Sequence, residues 1–228
     1  MDIIYLDKDI VVVFKPSNIP SQQDPTGDTD AMRLTAETLA SRGENSSLWL
    51  VHRLDRVVSG LIVFARSKQM AASLSELVKE RLLGKDYLAV IEGEGVDGLL
   101  ENFIYKDPRT SKAFVVKAKR NGVKEARLIA KTIATVITER GPRSLVHIRL
   151  LTGRYHQIRV QLASRKMPIV GDKRYGGKEG LASGIALSSV RLCIPLDKPI
   201  DIRLLPCREE YPWSLFDRDI YEGIEYEN

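Results

Sequence analysis

The sequence has little that could hold a metal. Its 228 residues include three histidines and two cysteines, with no Cys-x-x-Cys or His-Glu-x-x-His spacing among them, which excludes the usual zinc sites. Cys193 and Cys207 lie too far apart in sequence for a clip and are too few for a disulfide framework, so a reducing cytoplasm is the expected compartment. No apolar run approaches the roughly 18–20 residues of a membrane span. The opening MDIIYLDKDI lacks the basic-then-apolar order of a secretory leader. There is no Gly-rich phosphate loop, no repeat and no low-complexity tract. What remains, 43% apolar and 29% charged, is the profile of an ordinary globular chain with enough length for a sizeable core.

Charge is spread unevenly. Residues 106–131 hold nine Lys/Arg against two acids and residues 140–178 hold ten against one, while 209–228 reverse the sign with seven acids against one Arg. One such run is ordinarily a solvated face. Two in one small chain point to a phosphate-bearing partner.

Along the chain, Ile10–Phe14 reads as a buried strand ended by Lys15-Pro16. A polar loop rich in turn residues covers 17–29, and Asp30 is placed to cap a helix to about Arg42 with Gly43 beyond it. Ser67 caps a second expected helix with Met70, Leu74, Leu77, Val78 and Leu82 as its apolar stripe and Gly84 as its stop. Strands are expected at Tyr87–Ile91, 98–104, 113–118, 124–138 and 144–151. A helix from Thr152 to Arg165 follows, then short strands near 186–194 and 200–205. Many strands with few helices, not strictly alternating, make this an α+β fold on a large, mostly antiparallel mixed sheet with flanking helices. The expectation is one continuous domain over 1–228, with only nine residues ahead of the first expected strand.

The chemistry-bearing residues stand at element ends. In VHRLDRVVSGLIVFARS, Arg53, Asp55 and Arg56 lie directly ahead of the apolar run 61–65. An extended backbone there puts Arg53 and Asp55 on one face and Leu54 and Arg56 on the other. His156 and Arg159 are spaced to share one side of a helix, and Tyr87 opens a strand just after Gly84-Lys85-Asp86. Three polar sites resting on regular elements suit an active site, and by spacing alone they equally suit unrelated surface features.

HRLD followed by SGLIVFAR at 52–66 resembles the catalytic motif of the RluA-type pseudouridine synthases. KDYLAVIEG at 85–93, LLTGRYHQIRVQLA at 150–163, PIVGDKRYGG at 168–177 and the opening IIYLDKDIVVVFKPSNIP at 3–20 resemble other blocks of that family, in its order. Val58 and Tyr155 stand where members often carry Thr. The resemblance implies the pseudouridine synthase catalytic fold with a central RNA-binding cleft. It implies an isomerase that detaches a uracil at N1, turns it and rejoins it to C1′ through C5, with no cofactor and no metal. Asp55 is then the essential carboxylate, either attacking C1′ or taking a proton from C2′, and Arg159 is its counter-charge. A free Asp, with a pKa of about 3.9, is already ionised at neutral pH. A water-excluding pocket penalises that anion and a nearby cation offsets the penalty.

Tyr87 matches the active-site tyrosine that stacks on uracil and helps remove the C5 proton; as a bare residue it reads as a strand-end core tyrosine. Arg53 takes the place of the arginine that fills the gap left by the flipped base or holds the flipped-out backbone, at a flipping cost of a few kcal/mol. Arg56, Arg154 and His156 are expected to contact RNA phosphates or support the site, with His156 equally suited to bracing its helix. Lys15 is expected at the pocket rim, with Leu54 and His52 as structural support. The expected partner is RNA, a ribosomal or transfer RNA stem-loop, bound by a cytoplasmic monomer with no membrane contact, and without the S4-type domain some members carry upstream. Two rivals remain. One is an RNA chaperone that kept the fold without catalysis. The other is a lone-Asp hydrolase, which requires a second carboxylate beside the bond, and the motif blocks are expected to bring none.

Overall fold

The computed structural model describes residues 1–226, and these fold as two compact units: residues 1–85 with 188–204, and residues 86–187 with the chain from 205 onward.

The first unit is built on β1 (Asp2–Leu6), β2 (Ile10–Lys15), β3 (Trp49–Leu50), β4 (Ser59–Ala65), β10 (Leu187–Ile194) and β11 (Ile200–Arg203), with helices α1 (Ala31–Ser41) and α2 (Lys68–Lys79). Strand order runs β1-β2-β4-β10, with β11 added on β10 and β3 on β4. All of these pairs are antiparallel except β4–β10. The apolar runs of β2 and β4 face each other residue for residue, from Ile10 opposite Ala65 to Lys15 opposite Gly60. Ile10, Val12, Leu61, Val63 and Ala65 are fully buried in a core shared with Leu74 of α2 and Leu192 of β10. Each such aliphatic side chain contributes roughly 1.5–3 kcal/mol. This pairing has a consequence for chemistry: it fixes the Lys15-Pro16 turn beside the segment that precedes β4.

The caps at Asp30 and Ser67 are as expected, accepting from the backbone N–H groups of Arg33 and Met70. Gly84 does not stop the second helix. That helix ends at Lys79, Arg81 takes the left-handed turn at φ 65°, and Gly84 opens the next strand. Leu82 falls outside the helix and is exposed. The first strand is β1, not β2; its short apolar run, Ile3 to Leu6, lies on an outer strand whose residues are half-buried or exposed.

The second unit is an antiparallel sheet in the order β5 (Gly84–Glu92), β9 (Gly141–Leu150), β8 (Val123–Thr138), β6 (Gly98–Asp107), β7 (Lys112–Val116). Helix α3 (Gln157–Ala163) packs on one face of this sheet, with Val160 against Ile104, Ala113 and Ala126. Two single turns, η1 (Lys173–Tyr175) and η2 (Trp213–Leu215), and α4 (Arg218–Glu222) complete the unit. Mostly antiparallel strands with four α-helices among the described residues give the α+β class that the sequence implied. Helix α3 is shorter than expected at both ends. Thr152 does not cap it: the Thr152 hydroxyl accepts from the N–H of Arg127 at 2.8 Å and pairs with Gln157 Oε1 at 2.8 Å. The residue at the helix N-cap is His156, in the left-handed region at φ 51°.

Candidate active site

In the first unit the site is assembled around Asp55. Its backbone carbonyl accepts from Val58 N–H at 3.0 Å, which closes a turn directly ahead of β4. Just upstream, Ser21 Oγ accepts from the N–H of Leu54 at 3.0 Å and donates to the Leu54 carbonyl at 2.9 Å, so the motif backbone is clipped on both sides of one residue. His52 and Leu54 point inward and are buried, Arg53 is exposed, and Asp55 is half-buried.

Lys15 is not at a rim. It is fully buried, and its ammonium donates to the carbonyls of Pro16 at 2.9 Å, Ile19 at 2.8 Å and Arg56 at 3.2 Å. Three carbonyls match the three N–H donors of a charged lysine. Burial pulls its pKa down to about 7, and the Asp55 carboxylate pulls the other way. The ammonium therefore stitches the Lys-Pro turn to the carbonyl immediately after Asp55.

Arg56 does not share the inner side with Leu54. The turn after Asp55 swings it outward, where Nε donates to Asn18 O at 3.1 Å, Nη1 to Thr26 Oγ1 at 3.1 Å, and Nη2 pairs with Asp28. It staples the 18–28 loop. His52 Nε2 accepts from Val63 N–H at 3.3 Å, and burial, helped by the Lys85 charge, pushes its pKa down to about 3. The neutral ring is thus a fixed peg beneath the motif.

Gly60 was not singled out in the sequence and is indispensable to this geometry. At φ 114° it lies so close to β10 that an added Cβ would stand 2.3 Å from the Ser189 carbonyl. A glycine at the start of an apolar strand is the signal that marks such a close approach.

In the second unit, Tyr87 is buried in β5 opposite Ile148 of β9. Arg159 of α3 is buried and gripped along one edge by Asp172, Nε to Oδ2 at 2.7 Å and Nη2 to Oδ1 at 2.9 Å. Its guanidinium lies over the Tyr175 ring at 5.0 Å. The Tyr175 hydroxyl accepts from Ala113 N–H at 2.8 Å and is hydrogen-bonded to His156 Nδ1, also at 2.8 Å. Burial, then the charges of Arg159 and Arg174, hold the His156 pKa down at about 3. Tyr155 stacks on the same imidazole at 3.8 Å. His156 is thus a neutral brace between two tyrosines rather than a residue on the face of α3. Arg154 donates through Nε to the Glu125 carbonyl at 2.8 Å.

The motif blocks do hold carboxylates besides Asp55, among them Asp86 and Glu92 in KDYLAVIEG and Asp172 in PIVGDKRYGG. Asp172, within PIVGDKRYGG, is buried and committed through both oxygens to Arg159. The sequence did carry a signal for it: Asp172 is the single acid among the ten cations of 140–178. Both oxygens thus serve to hold the guanidinium in place.

The model of the RNA pseudouridylate synthase family matches residues 9–164. The chain belongs to that family. The matched range carries both the Asp55 turn and helix α3, and the family's enzyme class is the isomerase class implied by the motif blocks. An uncharacterised RNA pseudouridine synthase of Bacillus subtilis is 32% identical over 216 residues, covering 93% of this chain and 69% of that protein. The ribosomal large subunit pseudouridine synthase D of Xanthomonas campestris is 34% identical, with 81% of this chain and 54% of that protein covered. A mitochondrial tRNA pseudouridine(32) synthase of Saccharomyces cerevisiae is 33% identical over 78% of this chain and 37% of its own length. The chain thus spans between about a third and two thirds of these relatives. Among solved structures, the human RNA pseudouridylate synthase domain containing 1 superposes with a TM-score of 0.77 at 23% identity, covering 93% of this chain and 85% of that one. Its counterpart domain containing 4 gives 0.75 at 22%, with 91% and 89% covered. These two show that the fold is the family's. No helix among the described residues is long and apolar enough to cross a membrane.

Proposed function

We propose that this chain isomerises a uridine of structured RNA, ribosomal or transfer, to pseudouridine, with Asp55 as the essential carboxylate. The observation that carries the reading is the construction around Asp55. Its turn is fixed from below by buried β4, its neighbouring backbone is clipped by Ser21, and the carbonyl that follows it is held by the Lys15 ammonium. Rigid support of this kind is what a reacting group requires and a surface ion pair does not.

In the proposed reaction the C1′–N1 bond breaks with its electron pair leaving on uracil, and Asp55 meets the sugar at C1′ or removes the C2′ proton. As the turned base forms the C1′–C5 bond, the C1′–Asp55 bond breaks or the proton taken from C2′ returns there; C5 then loses its proton and N1 gains one. Atoms and electrons balance within the substrate, so the step calls for no oxidant, metal or cofactor. Tyr87 is assigned to the uracil and the C5 proton, Arg159 to counter-charge, and Arg53 to the RNA backbone beside the flipped nucleotide. The names of relatives acting on the ribosomal large subunit and on tRNA support the substrate class. The two free cysteines support a reducing cytoplasm.

Incubation with RNA carrying tritium at C5 of uridine tests the reading. Wild-type protein is expected to release tritium to water, and Asp55→Asn to bind the RNA and stay folded without releasing any. Near-normal release by Asp55→Asn sinks the assignment. Release of free uracil would reveal a nucleosidase, and strand annealing with no tritium release would reveal a chaperone.

A further inference from the structure

The register of the second unit sorts its residues onto two faces. Tyr87, Ile148, Ala130 and Gly98 align across β5, β9, β8 and β6 on one face. Ile104, Ala113 and Ala126 lie on that same face, and α3 covers them. Alternate residues turn the other way. There, Phe103 and Tyr105 of β6 stand directly opposite Val116 and Phe114 of β7. Phe114 is 42% exposed, and Phe103, Tyr105 and Val116 are half-buried. Three aromatic rings on two neighbouring strands, the outer one at the sheet edge, are thus turned away from α3 and Tyr87.

The cations around these rings decide what the face suits. The Arg120 guanidinium lies over Tyr105 at 5.4 Å, while Lys112 Nζ, 5.8 Å from the Phe114 centroid, is nearer to Tyr175 on the α3 side at 5.4 Å. Lys117, Lys119 and Arg120 are all exposed on the connection that follows β7. The core of a protein–protein interface is poor in lysine, because each ammonium must be stripped of water there. Rings interleaved with lysine and arginine instead match a strand of nucleotides, whose bases stack on π faces and whose phosphates take the cations.

We propose that the outer face of the β6–β7 hairpin is a second RNA-binding surface, on which unpaired bases of the substrate stack against Phe114 and Tyr105 while Arg120 and the exposed Lys117 and Lys119 hold the adjoining phosphates. The proposal rests on the RNA reading above. It adds a contact on the sheet face opposite Tyr87, which an RNA arm reaches by crossing the β7 edge. The surface contributes affinity and choice of RNA, not chemistry.

The test uses the full chain and two probes, unmodified transcripts of large-subunit ribosomal RNA and of tRNA. The double variant Phe114→Ala/Arg120→Ala changes only exposed side chains. Its Kd for the preferred transcript is expected to rise at least about fivefold, the lower end for one lost stacking contact. Its log–log salt dependence is expected to become shallower by about 0.7 for the one lost cation. Tritium release at saturating RNA is expected to match wild type. Phe114→Trp, which keeps a stacking ring, is expected to bind like wild type, separating stacking from any disturbance of the hairpin. An unchanged Kd and salt slope in the double variant, alongside active wild-type protein, overturns the proposal; loss of a co-purifying protein partner in that case would reassign the face to protein. Wild-type protein that neither binds RNA nor releases tritium overturns the functional reading and this proposal together.

Discussion

Replacing Asp172 by Asn separates a structural carboxylate from a reacting one. The perturbation keeps the side-chain shape and one acceptor oxygen but removes the charge that grips Arg159 through two bonds of 2.7 and 2.9 Å. Both side chains are almost wholly buried, at 5% and 2% exposure, so solvent does little to screen the loss. Removing one partner of a buried pair costs about 3–5 kcal/mol, chiefly because the other charge stays behind desolvated. The retained acceptor places Asp172→Asn near the lower end, about 3 kcal/mol. With a urea m-value of about 3 kcal/mol per M, that moves the unfolding midpoint by roughly 1 M. Removing both partners, as Arg159→Met/Asp172→Leu, is expected to cost less than Asp172→Asn alone, and the double-mutant cycle gives the coupling directly. In the tritium assay Asp172 acts only through Arg159, so Asp172→Asn is expected to lower kcat and leave the RNA Kd in place. A variant as stable as wild type yet inactive would refute this reasoning. It would make Asp172 a reacting group and revive the two-carboxylate hydrolase.

Two further outcomes follow from buried groups in the first unit. His52 has a folded-state pKa of about 3 against an unfolded value near 6.5, so between these the unfolded chain binds the extra proton. Stability is expected to be flat in this respect above pH 6.5 and to fall as pH drops below it, by about 1.4 kcal/mol at pH 5.5. His52→Gln should remove that portion of the pH dependence in urea titrations at pH 7.5 and 5.5, and an equal slope in both proteins would show that the ring takes up its proton when folded. Gly60→Ala is expected to yield no folded protein, read by limited proteolysis, because the new Cβ meets the Ser189 carbonyl at 2.3 Å and the backbone sits at φ 114°; a soluble Gly60→Ala with wild-type melting would refute the close approach of β4 to β10.

What the sequence made legible is what depends on local pattern. The apolar runs of β2 and β4, the helix caps at Asp30 and Ser67, and the alternation in β6 to β9 are each decided by neighbouring residues, and each lies where it was expected. What it concealed depends on distant partners. Thr152 has the chemistry of a cap, but β8 claims its hydroxyl through Arg127, so the helix starts five residues later. Arg56 has the parity of an inward residue in an extended segment. The turn at Asp55 ends that segment one residue too early for the parity to apply, and three partners in the 18–28 loop then hold it outside. Lys15 reads as a rim lysine because no local signal reveals that three carbonyls converge where its chain ends.

The same distinction changes what the basic character of the chain means. Counted along the sequence, the two basic segments are nearly equal, with nine and ten cations. Counted by destination they are not. In 140–178, Arg143 is buried against Glu179 and Arg159 against Asp172, Arg165 donates to Asn102 Oδ1 and the Gln161 carbonyl, and Arg174 donates to the carbonyls of Thr110 and Ser111. These guanidiniums hold backbone and carboxylates in place, and spending one on a phosphate would mean breaking a bond the fold uses. In 106–131, Lys106, Arg109, Lys117, Lys119, Arg120, Lys124 and Lys131 are all exposed. Condensed counterions are displaced from RNA by cations that remain hydrated and mobile until the phosphate arrives. The salt dependence of RNA binding is therefore expected to fall more on the first segment, where seven of nine cations are exposed, than on the second, where five of ten are.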